Sequence, residues 1–412
     1  MKTIVIIGGG AAGLMAAISA SYKKNKVILL EKNEKPGKKL FITGKGRCNI
    51  TTACPPEDFL SYIQTNPRFL HSCFQRFNNE AMMQFLKDRG LKIKIERGMR
   101  VFPESDHSSD VIRLLKEECL KNGVKFRYHA HAVKINWSEE DGFQSVELTD
   151  GQIIKGDSLI LACGGKSYPS TGSNGEGYQL AASIGHTIKE PEPSLVPFVI
   201  KENWCKELMG LTLKNVSIRV KDGKKLVYDG FGEFLFTHFG VSGPLVLTAS
   251  TRLGKHQKAL KEGRLRLLLD LKPSLTQEQL EKRFLREFDT FRNKDISNVI
   301  DTMLPRKMVP IFLTLAQIDP HKKVRDLAKA DRHRMVTLMK EIPMSIIGVR
   351  GFEEAIITRG GVNVKEVNPT TMESRIVPGV FFAGEILDVD GVTGGFNLQI
   401  AWSTGYTAGF FA

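Results

Sequence analysis

The chain has 412 residues, of which 42% are hydrophobic and 25% are charged, a balance typical of a globular protein with two or three domains. No run approaches the roughly 20 apolar residues of a membrane helix, and the apolar start at 1–7 is followed at once by glycines rather than by a signal-peptide core. We therefore expect a cytoplasmic protein without a membrane partner. The formal net charge of +14 is what a polyanionic partner requires, although charge alone is explained equally by a solvated basic face.

The cysteines are scattered along the chain, and no two of them form a Cys-x-x-Cys pair. This spacing argues against zinc, iron–sulfur clusters and a disulfide framework, so we expect no metal site. The six positions are Cys48, Cys54, Cys73, Cys119, Cys163 and Cys205.

The N-terminus predicts a β-α-β unit that binds a dinucleotide. An apolar strand at 3–7 leads through Gly8-x-Gly10-x-x-Gly13 into a small-residue helix, and the next strand closes at Glu31. Gly8 permits a tight turn, Gly10 lets the backbone approach a pyrophosphate, and Gly13 allows close helix–strand packing. The helix N-terminus offers free N–H groups to the phosphates. A carboxylate at Glu31 can accept hydrogen bonds from ribose hydroxyls and disfavours the 2′-phosphate of NADP.

The rest of the chain alternates between helical and strand-like stretches. Prolines recur from Pro191 onward, where the pattern changes to β character, and the last glycine-rich turn leads into a C-terminal helix. In chain order we predict helices at 59–88 and 110–121, short strands at 124–157, a buried strand at 158–162, strands between 216 and 271, helices over 274–340 and buried strands at 355–358 and 379–383.

Two later segments favour FAD over NAD as the dinucleotide. The strand that ends in Ala162-Cys163-Gly164-Gly165 resembles the second dinucleotide-contact segment of glutathione-reductase-type flavoproteins. The sequence 381–385 (FFAGE) is similar to the segment in which an acid after glycine holds the ribityl chain. Glu385 stands where that family usually has aspartate.

Four motifs resemble one family, the BaiN-like (YhiN-type) FAD-dependent oxidoreductases. They are TGKGRCN at 43–49, RVFP at 100–103, GSNGEGY at 172–178 and the run 384–405. The resemblance covers essentially the whole chain. It implies an α/β fold with a Rossmann-type FAD-binding domain (1–193 and 352–412), an inserted β-rich, barrel-like domain (194–274 and 338–351) and a small helical, basic domain (275–337).

The resemblance also assigns residues to the cofactor. The helix N-terminus that follows Gly395 points at the flavin pyrimidine ring, where it stabilises negative charge near N1 and O2 of the reduced flavin. Arg47, Cys48 and Asn49 lie beside the isoalloxazine ring, and the backbone of Val133 contacts adenine. The predicted cofactor-binding residues are Gly8, Gly10, Ala11, Ala12, Gly13, Glu31, Lys32, Lys39, Gly46, Arg47, Cys48, Asn49, Val133, Ala162, Gly164, Gly165, Gly384, Glu385, Gly395, Phe396, Asn397, Leu398 and Gln399.

Cys48 and His238 are the candidate catalytic residues. Cys48 could act as a redox thiol, although a small packed residue beside the cofactor fits its isolation from other cysteines better. His238 lies in the stretch FTHFGVSGP and could donate a proton, with Ser167 and Tyr168 as rivals, although a structural histidine is the more ordinary interpretation. No second Gly-x-Gly-x-x-Gly exists, so NAD(P)H is expected to dock transiently as the reductant.

The resemblance implies reduction of a C=C bond conjugated to a carbonyl, but the members of the family differ in their substrate. Some relatives are associated with steroid-like alkenes and others with uridine in large-subunit ribosomal RNA, which becomes dihydrouridine. A third reading is a flavin-carrying binding or redox-sensing protein.

The charge distribution favours ribosomal RNA over a small-molecule alkene. Residues 251–340 hold 21 Lys and Arg against 11 Asp and Glu, a net +10. We predict that Arg325, Arg332 and Arg334 bind RNA, the alternative being a solvated helix face.

Overall fold

The computed structural model describes residues 1–412, apart from the side chain of Lys255. The chain divides into two compact units, a first unit of Met1–Ser194 with Gly351–Ala412 and a second unit of Leu195–Arg350. No described helix is both long enough and apolar enough to cross a membrane.

The strands are numbered in chain order. They are β1 (Thr3–Ile7), β2 (Lys26–Leu30), β3 (Thr51–Thr52), β4 (Ile63–Thr65), β5 (Ile93–Glu96), β6 (Arg100–Pro103), β7 (Lys125–Arg127), β8 (Ala132–Ser138), β9 (Gly142–Leu148), β10 (Ile153–Lys155), β11 (Ser158–Leu161), β12 (Ile188–Ser194), β13 (Phe198–Ile200), β14 (Thr212–Asp222), β15 (Lys225–Thr237), β16 (Gly240–Ser242), β17 (Leu265–Asp270), β18 (Ile342–Val349), β19 (Ile357–Val362), β20 (Val380–Phe382) and β21 (Asp390–Gly391).

The α-helices are numbered in the same way. They are α1 (Ala11–Ser21), α2 (Lys38–Ile42), α3 (His71–Arg76), α4 (Asn79–Asp88), α5 (Ser108–Lys121), α6 (Glu176–Ser183), α7 (Trp204–Glu207), α8 (Pro244–Ser250), α9 (Gln257–Lys261), α10 (Gln277–Thr290), α11 (Ile296–Ile300), α12 (Val309–Leu315), α13 (Lys329–Lys340) and α14 (Phe396–Phe411).

A parallel sheet organises the first unit, with strand order β20-β11-β1-β2-β7. Its central strands are buried on both faces, as their continuous apolar sequences predict. Because parallel strands all end at the same edge, the residues that follow four of them, Gly8, Glu31, Ala162 and Ala383, lie along one line. This edge is where a doubly wound sheet binds its ligand.

Helices α1 and α14 pack through their glycines, although they come from opposite ends of the chain. A Cβ atom on Gly405 would lie 2.4 Å from the carbonyl oxygen of Ala12, and one on Gly409 would lie 2.2 Å from that of Ala16. Real Cβ atoms do not approach backbone this closely, so the contact requires glycine at both positions. The C-terminal helix is thereby held against the helix that follows the glycine-rich turn.

The predicted helix at 59–88 is wrong in its extent. Strand β4 and short 3₁₀ turns interrupt it, and regular helix is confined to α3 and α4. Pro67 starts one of the 3₁₀ turns, and the Asn78 side chain accepts the Ala81 N–H (2.8 Å) to cap α4. Local turn chemistry therefore overrides the apolar periodicity.

A closed barrel organises the second unit, with strand order β13-β16-β15-β14-β17-β18. All its pairings are antiparallel. Barrel residues such as Leu267 and helical residues such as Phe284 and Val336 belong to one hydrophobic cluster. The boundaries that would separate a β-rich domain from a helical domain stay a prediction.

Candidate cofactor site

A cavity of about 220 Å³ opens at the carboxyl edge of the parallel sheet, and residues of the first unit line it. Its walls come from the glycine-rich turn, the end of β2 and the start of α14, which are far apart in sequence. The lining includes 7–12, 30–33, 37–40, 130–132, 162–164, 171–174, 356–357 and 397–398. The cavity is therefore elongated across the sheet edge, as a dinucleotide is.

The glycine-rich turn leaves an uncapped helix N-terminus at the cavity. Gly8 has φ +104°, and a Cβ on Gly13 would lie 1.8 Å from the Gly8 carbonyl oxygen, so both positions need glycine for packing. A Cβ on Gly10 would instead meet open space, and Gly10 lines the cavity. Helix α1 has no side-chain cap and no acid in its first turn. Its free N–H groups and positive end fit a pyrophosphate.

Two backbone N–H groups hold the Glu31 carboxylate in place. The Gly9 N–H donates to Glu31 Oε2 (2.9 Å), and the Asn33 N–H donates to Oε1 (2.8 Å). Each carboxylate oxygen can accept two hydrogen bonds, so Oε2 keeps an acceptor position for a hydroxyl group. The carboxyl is buried yet lines the cavity, which is the arrangement expected for an acid that recognises ribose rather than a phosphate.

Glu385 is predicted to contact the ribityl chain, but both of its carboxylate oxygens already have hydrogen-bond partners within the protein. Lys39 Nζ lies 2.6 Å from Glu385 Oε2, and the Thr358 N–H donates to Oε1 (2.7 Å). Ser167 Oγ also lies 2.9 Å from Oε1 and accepts a hydrogen bond from Lys39. Sequence reasoning missed Thr358, which no motif marks. Ser167 has no accessible surface, so its hydroxyl orients the acid and the lysine.

None of the residues Gly46 to Asn49 lines the cavity. The Arg47 guanidinium pairs with Asp106 (2.5 Å) and Glu96, and it lies 4.2 Å from the centre of the Phe102 ring. These contacts explain the motif RVFP beside GRCN, because Phe102 provides the surface on which Arg47 stacks.

Asn49 joins this segment to the start of α14. In the amide orientation that its neighbours require, Asn49 accepts the Gly395 N–H (3.0 Å) and donates to the Thr51 carbonyl (3.1 Å). A Cβ on Gly395 would lie 2.3 Å from the same carbonyl oxygen, so the close approach needs glycine. The GRCN segment therefore positions the helix N-terminus that points at the cavity.

The environment of Cys48 disfavours a redox thiolate. Its side chain is fully buried, and burial raises the pKa of the thiol to about 12. A thiol is nucleophilic only as the thiolate, so Cys48 is inert near neutral pH. The described cysteines form no disulfide. These facts favour the packed-residue interpretation of Cys48.

His238 lies in the turn between β15 and β16 of the second unit, with its ring edge-on to Phe239. Its role as a proton donor stays a prediction. The hydroxyl of Tyr168, a rival donor, is half-buried, and burial raises the pKa of this phenol.

The start of α14 divides its side chains between the cavity and the core. Asn397 and Leu398 line the cavity, and the Asn397 side chain accepts the Gly391 N–H (2.8 Å). Gln399 faces away, because its Oε1 accepts from Thr51 Oγ1 (2.7 Å). Phe396 stacks on Tyr62. Ile400 and Ala401, one helical turn on, line the cavity instead and were missed.

At the other end of the cavity, Ala130, His131 and Ala132 form the wall. Val133 is not among the lining residues and is 47% exposed, at a β-bulge where the pairing of β8 with β9 shifts register between Ala132 and Lys134. Sequence reasoning also missed Glu176, whose Oε2 lies 2.7 Å from Lys32 Nζ and 2.9 Å from His131 Nε2. The motif GSNGEGY contains Glu176 and could have indicated it.

The three arginines predicted to bind RNA have different surroundings. The Arg332 side chain is only 18% exposed and pairs with Glu281 (3.3 Å). Arg334 pairs with Asp331 (2.6 Å) and donates to the Ala316 carbonyl (3.0 Å). Arg325 is 61% exposed, lies 3.8 Å from the exposed Asp326 carboxylate and donates to Asn293 Oδ1 (3.2 Å). The contacts of Arg332 and Arg334 hold helix α13 in place. Arg325 is the most exposed of the three, and Arg334 keeps 43% of its side chain exposed despite its contacts.

The donor set fits FAD. Three groups meet at one elongated cavity: the uncapped N-terminus of α1, the buried carboxylate of Glu31 with its free acceptor position, and the N-terminus of α14. The glycine-rich turn would hold the pyrophosphate, Glu31 would hold the ribose, and the start of α14 would hold the flavin. Within the described part of the chain, no group of three or more His, Cys, Asp or Glu side chains could hold a metal ion.

The chain is similar to known proteins over nearly its whole length. The family described as the HI0933-like protein Rossmann domain matches residues 2–411. The chain is 34% identical to a 3-dehydro-bile acid delta(4,6)-reductase of Clostridium scindens, over 99% of this chain and 98% of the relative. It is 29% identical to the ribosomal RNA dihydrouridine synthase of Escherichia coli, over 98% of this chain and 96% of the relative.

Solved structures show the same fold. A 3-ketosteroid delta1-dehydrogenase from Sterolibacterium denitrificans superposes with a TM-score of 0.52 at 12% identity, covering 99% of this chain and 98% of that one. A 3-ketosteroid-delta4-(5alpha)-dehydrogenase from Rhodococcus jostii gives 0.51 at 15% identity, with 99% and 96% covered. The chain belongs to the HI0933-like family and is an FAD-dependent oxidoreductase.

Proposed function

We propose that this protein reduces an activated C=C bond with NAD(P)H as the reductant, and that its substrate is a uridine of large-subunit ribosomal RNA, which becomes dihydrouridine. Full-length relatives in Escherichia coli and Haemophilus influenzae that bear the name ribosomal RNA dihydrouridine synthase support this proposal, each at 29% identity.

The observation that carries the RNA substrate is the separation of charge between the units. The second unit, 195–350, holds 29 Lys and Arg against 17 Asp and Glu, a net +12, which leaves +2 of the total +14 for the first unit. Steroid-like alkenes bind in apolar pockets and carry at most one or a few negative groups, so they gain little from such a charge. A polyanionic RNA gains affinity from it through counterion release.

The roles of the chain's own residues follow from their contacts. FAD, when bound, would supply hydride transfer from NAD(P)H to one carbon of the double bond, and the other carbon would take a proton from a protein side chain or water. Glu31 and the N-terminus of α1 would bind the adenosine and pyrophosphate portions. Lys39 and Glu385 would fix the ribityl region, and the N-terminus of α14 would stabilise negative charge on the flavin ring. The target uridine must leave its stack to reach the cavity.

A small conjugated alkene is the second candidate substrate. The Clostridium scindens relative, at 34% identity, is named as a bile acid reductase. Both substrates share a C=C bond conjugated to a carbonyl, so the hydride chemistry is the same and only recognition differs.

The deciding experiment measures dihydrouridine in ribosomal RNA from a strain without the gene and from the same strain with the gene restored. We expect one dihydrouridine to be lost in the strain without the gene. It should return with the wild-type gene and not with a Gly10→Glu variant. Unchanged dihydrouridine, together with rapid oxidation of NAD(P)H by a conjugated enone, would contradict the RNA substrate and favour the small molecule.

A further inference from the structure

A second cavity, of about 330 Å³, lies in the second unit at one end of the barrel. Three cationic residues line it, Lys214, Lys272 and Arg283, together with Asn215 and the short loop that follows β17. No carboxylate is among the lining residues, and none of the described ion pairs involves these three cations. Three unneutralised positive groups around one cavity form an environment for an anion.

A β-bulge brings Lys214 and Asn215 to this cavity. The pairing of β14 with β15 shifts register between Leu213 and Val216, so the two residues between them leave the regular ladder. Asn215 has φ +60°, a left-handed conformation that is uncommon outside glycine. Bulges redirect side chains, and they concentrate near functional sites.

The loop that carries Lys272 is fixed from behind by Lys340. Lys340 Nζ lies 2.6 Å from Asp270 Oδ2 and donates to the carbonyls of Lys272 (3.0 Å) and Leu275 (2.8 Å). The nearby carboxylate is therefore already paired with Lys340 and does not neutralise Lys272. The loop therefore needs no rearrangement for the Lys272 ammonium group to meet an anion in the cavity.

Arg283 is positioned by the packing of α10. Leu280, Phe284 and Phe288 form the buried face of this helix, and Arg283 lies beside that face, partly buried. Burial, and to a smaller extent the neighbouring Arg283, lowers the pKa of Lys272. The two cations thus repel each other across the cavity, and an anion bound between them would relieve that repulsion.

We propose that this cavity, the Lys214–Lys272–Arg283 pocket, binds a phosphate group of the RNA backbone. A guanidinium and two ammonium groups around a compact space suit a phosphate, which accepts bidentate hydrogen bonds from arginine and point-charge contacts from lysine. The choice of RNA as the source of the phosphate rests on the proposed function. The pocket would fix the position of the RNA backbone on the protein without contacting its bases.

The test compares Lys272→Ala and Arg283→Ala with Lys282→Ala. Lys282 precedes Arg283 on the same helix, is exposed and does not line the pocket, so it is a matched loss of one charge. Binding of a short fluorescein-labelled single-stranded RNA is followed by fluorescence anisotropy at several salt concentrations. Each pocket variant is expected to weaken binding roughly 10-fold and to lower the salt slope by about 1, with a much smaller effect for Lys282→Ala.

A second arm uses inorganic phosphate against chloride at matched ionic strength, with the melting temperature as the readout. Phosphate should raise the melting temperature of the wild type and of Lys282→Ala, but not that of the pocket variants. RNA binding that is as strong in Lys272→Ala and Arg283→Ala as in Lys282→Ala would overturn the pocket and leave the proposed function standing. Failure of the wild type to bind RNA, with its phosphate response intact, would overturn the proposed function and RNA as the source of the phosphate.

Discussion

Asn49 accepts a hydrogen bond from the backbone N–H of Gly395 at 3.0 Å, and this bond joins the GRCN segment to the N-terminus of the C-terminal helix. Neither residue is an obvious partner of the other in the sequence. The bond explains why both motifs accompany the same cofactor. One motif supplies the helix end, and the other fixes where that helix end points.

Removing this bond should disturb the flavin rather than the fold alone. We expect Asn49→Ala to leave the Gly395 N–H without its partner, to cost about 1–2 kcal/mol of unfolding free energy and to shift the visible flavin spectrum. Asn49→Asp keeps an acceptor and should preserve the spectrum better. An Asn49→Ala protein with wild-type stability and an unchanged spectrum would contradict the positioning role.

Gly10 should be needed for FAD and not for folding. A Cβ at Gly10 meets open space on the cavity side, so Gly10→Val is expected to fold but to lose at least about 10-fold in FAD affinity through overlap with the pyrophosphate. Gly232→Ala is a control, because its added Cβ would lie 3.8 Å or more from the nearest side chain. Flavin absorbance per protein and melting temperature measure the two effects. Equal flavin content in Gly10→Val and the wild type would refute this assignment.

Lys39 and Glu385 should act as a coupled pair. Each side chain is 22% exposed, and their charged atoms lie 2.6 Å apart. Lys39→Met leaves a partly buried carboxylate without its cation, whereas the double variant with Glu385→Gln removes both charges. We expect the FAD dissociation constants of the single variants and the double variant to be non-additive, with a coupling of about 0.5–3 kcal/mol. Additive effects would mean that the pair contributes nothing as a unit.

Cys48 should contribute a distinctive dependence of stability on alkaline pH. In the folded chain burial raises the pKa of its thiol from 9.0 to about 12, so the unfolded chain loses this proton first as the pH rises. The contribution is fully present below pH 9 and is lost between pH 9 and 12.

Urea unfolding of the wild type and Cys48→Ala near pH 8 and pH 10.5 isolates this effect. The stability difference between the two proteins should shrink by about 1–2 kcal/mol over that interval. Cys48→Ala should also keep NAD(P)H-dependent reductase activity, because a buried neutral thiol is packed against its surroundings and not reactive. Loss of activity in a fully FAD-loaded variant would restore Cys48 as a catalytic residue.

Arg325 and Arg332 should separate RNA binding from folding. Arg332→Gln loses a mostly buried ion pair with Glu281 and is expected to lower the melting temperature, at a cost of about 1–3 kcal/mol. Arg325→Gln changes an exposed side chain and should weaken RNA binding without changing the melting temperature. Reversal of these two outcomes would show that Arg332 on α13, and not Arg325 in the turn before it, is the cation that meets RNA.

The sequence by itself determined the cofactor fold, because the signals are local. Gly8, Gly10 and Gly13 lie on one turn between a strand and a helix, and the backbone geometry of that turn dictates glycine. Glu31 follows at the end of the next strand. Ala162 and Glu385 are placed at the site by the resemblance of their segments to those of flavoproteins, and the parallel pairing of β1, β11 and β20 brings both to the same edge.

Only the tertiary structure decided which side chains face the cavity and which charges are free. A β-bulge in β8 turns Val133 outward. Helix rotation directs Gln399 into the core, because a shift of one residue along a helix changes the face. Arg332 looks like a free cation until Glu281 pairs with it. Lys214 and Arg283 meet only because a bulge and a helix from distant parts of the chain converge on one cavity. The sequence shows which residues are charged and how apolar residues are spaced. Which charges pair and where side chains point depend on contacts between residues that are far apart along the chain.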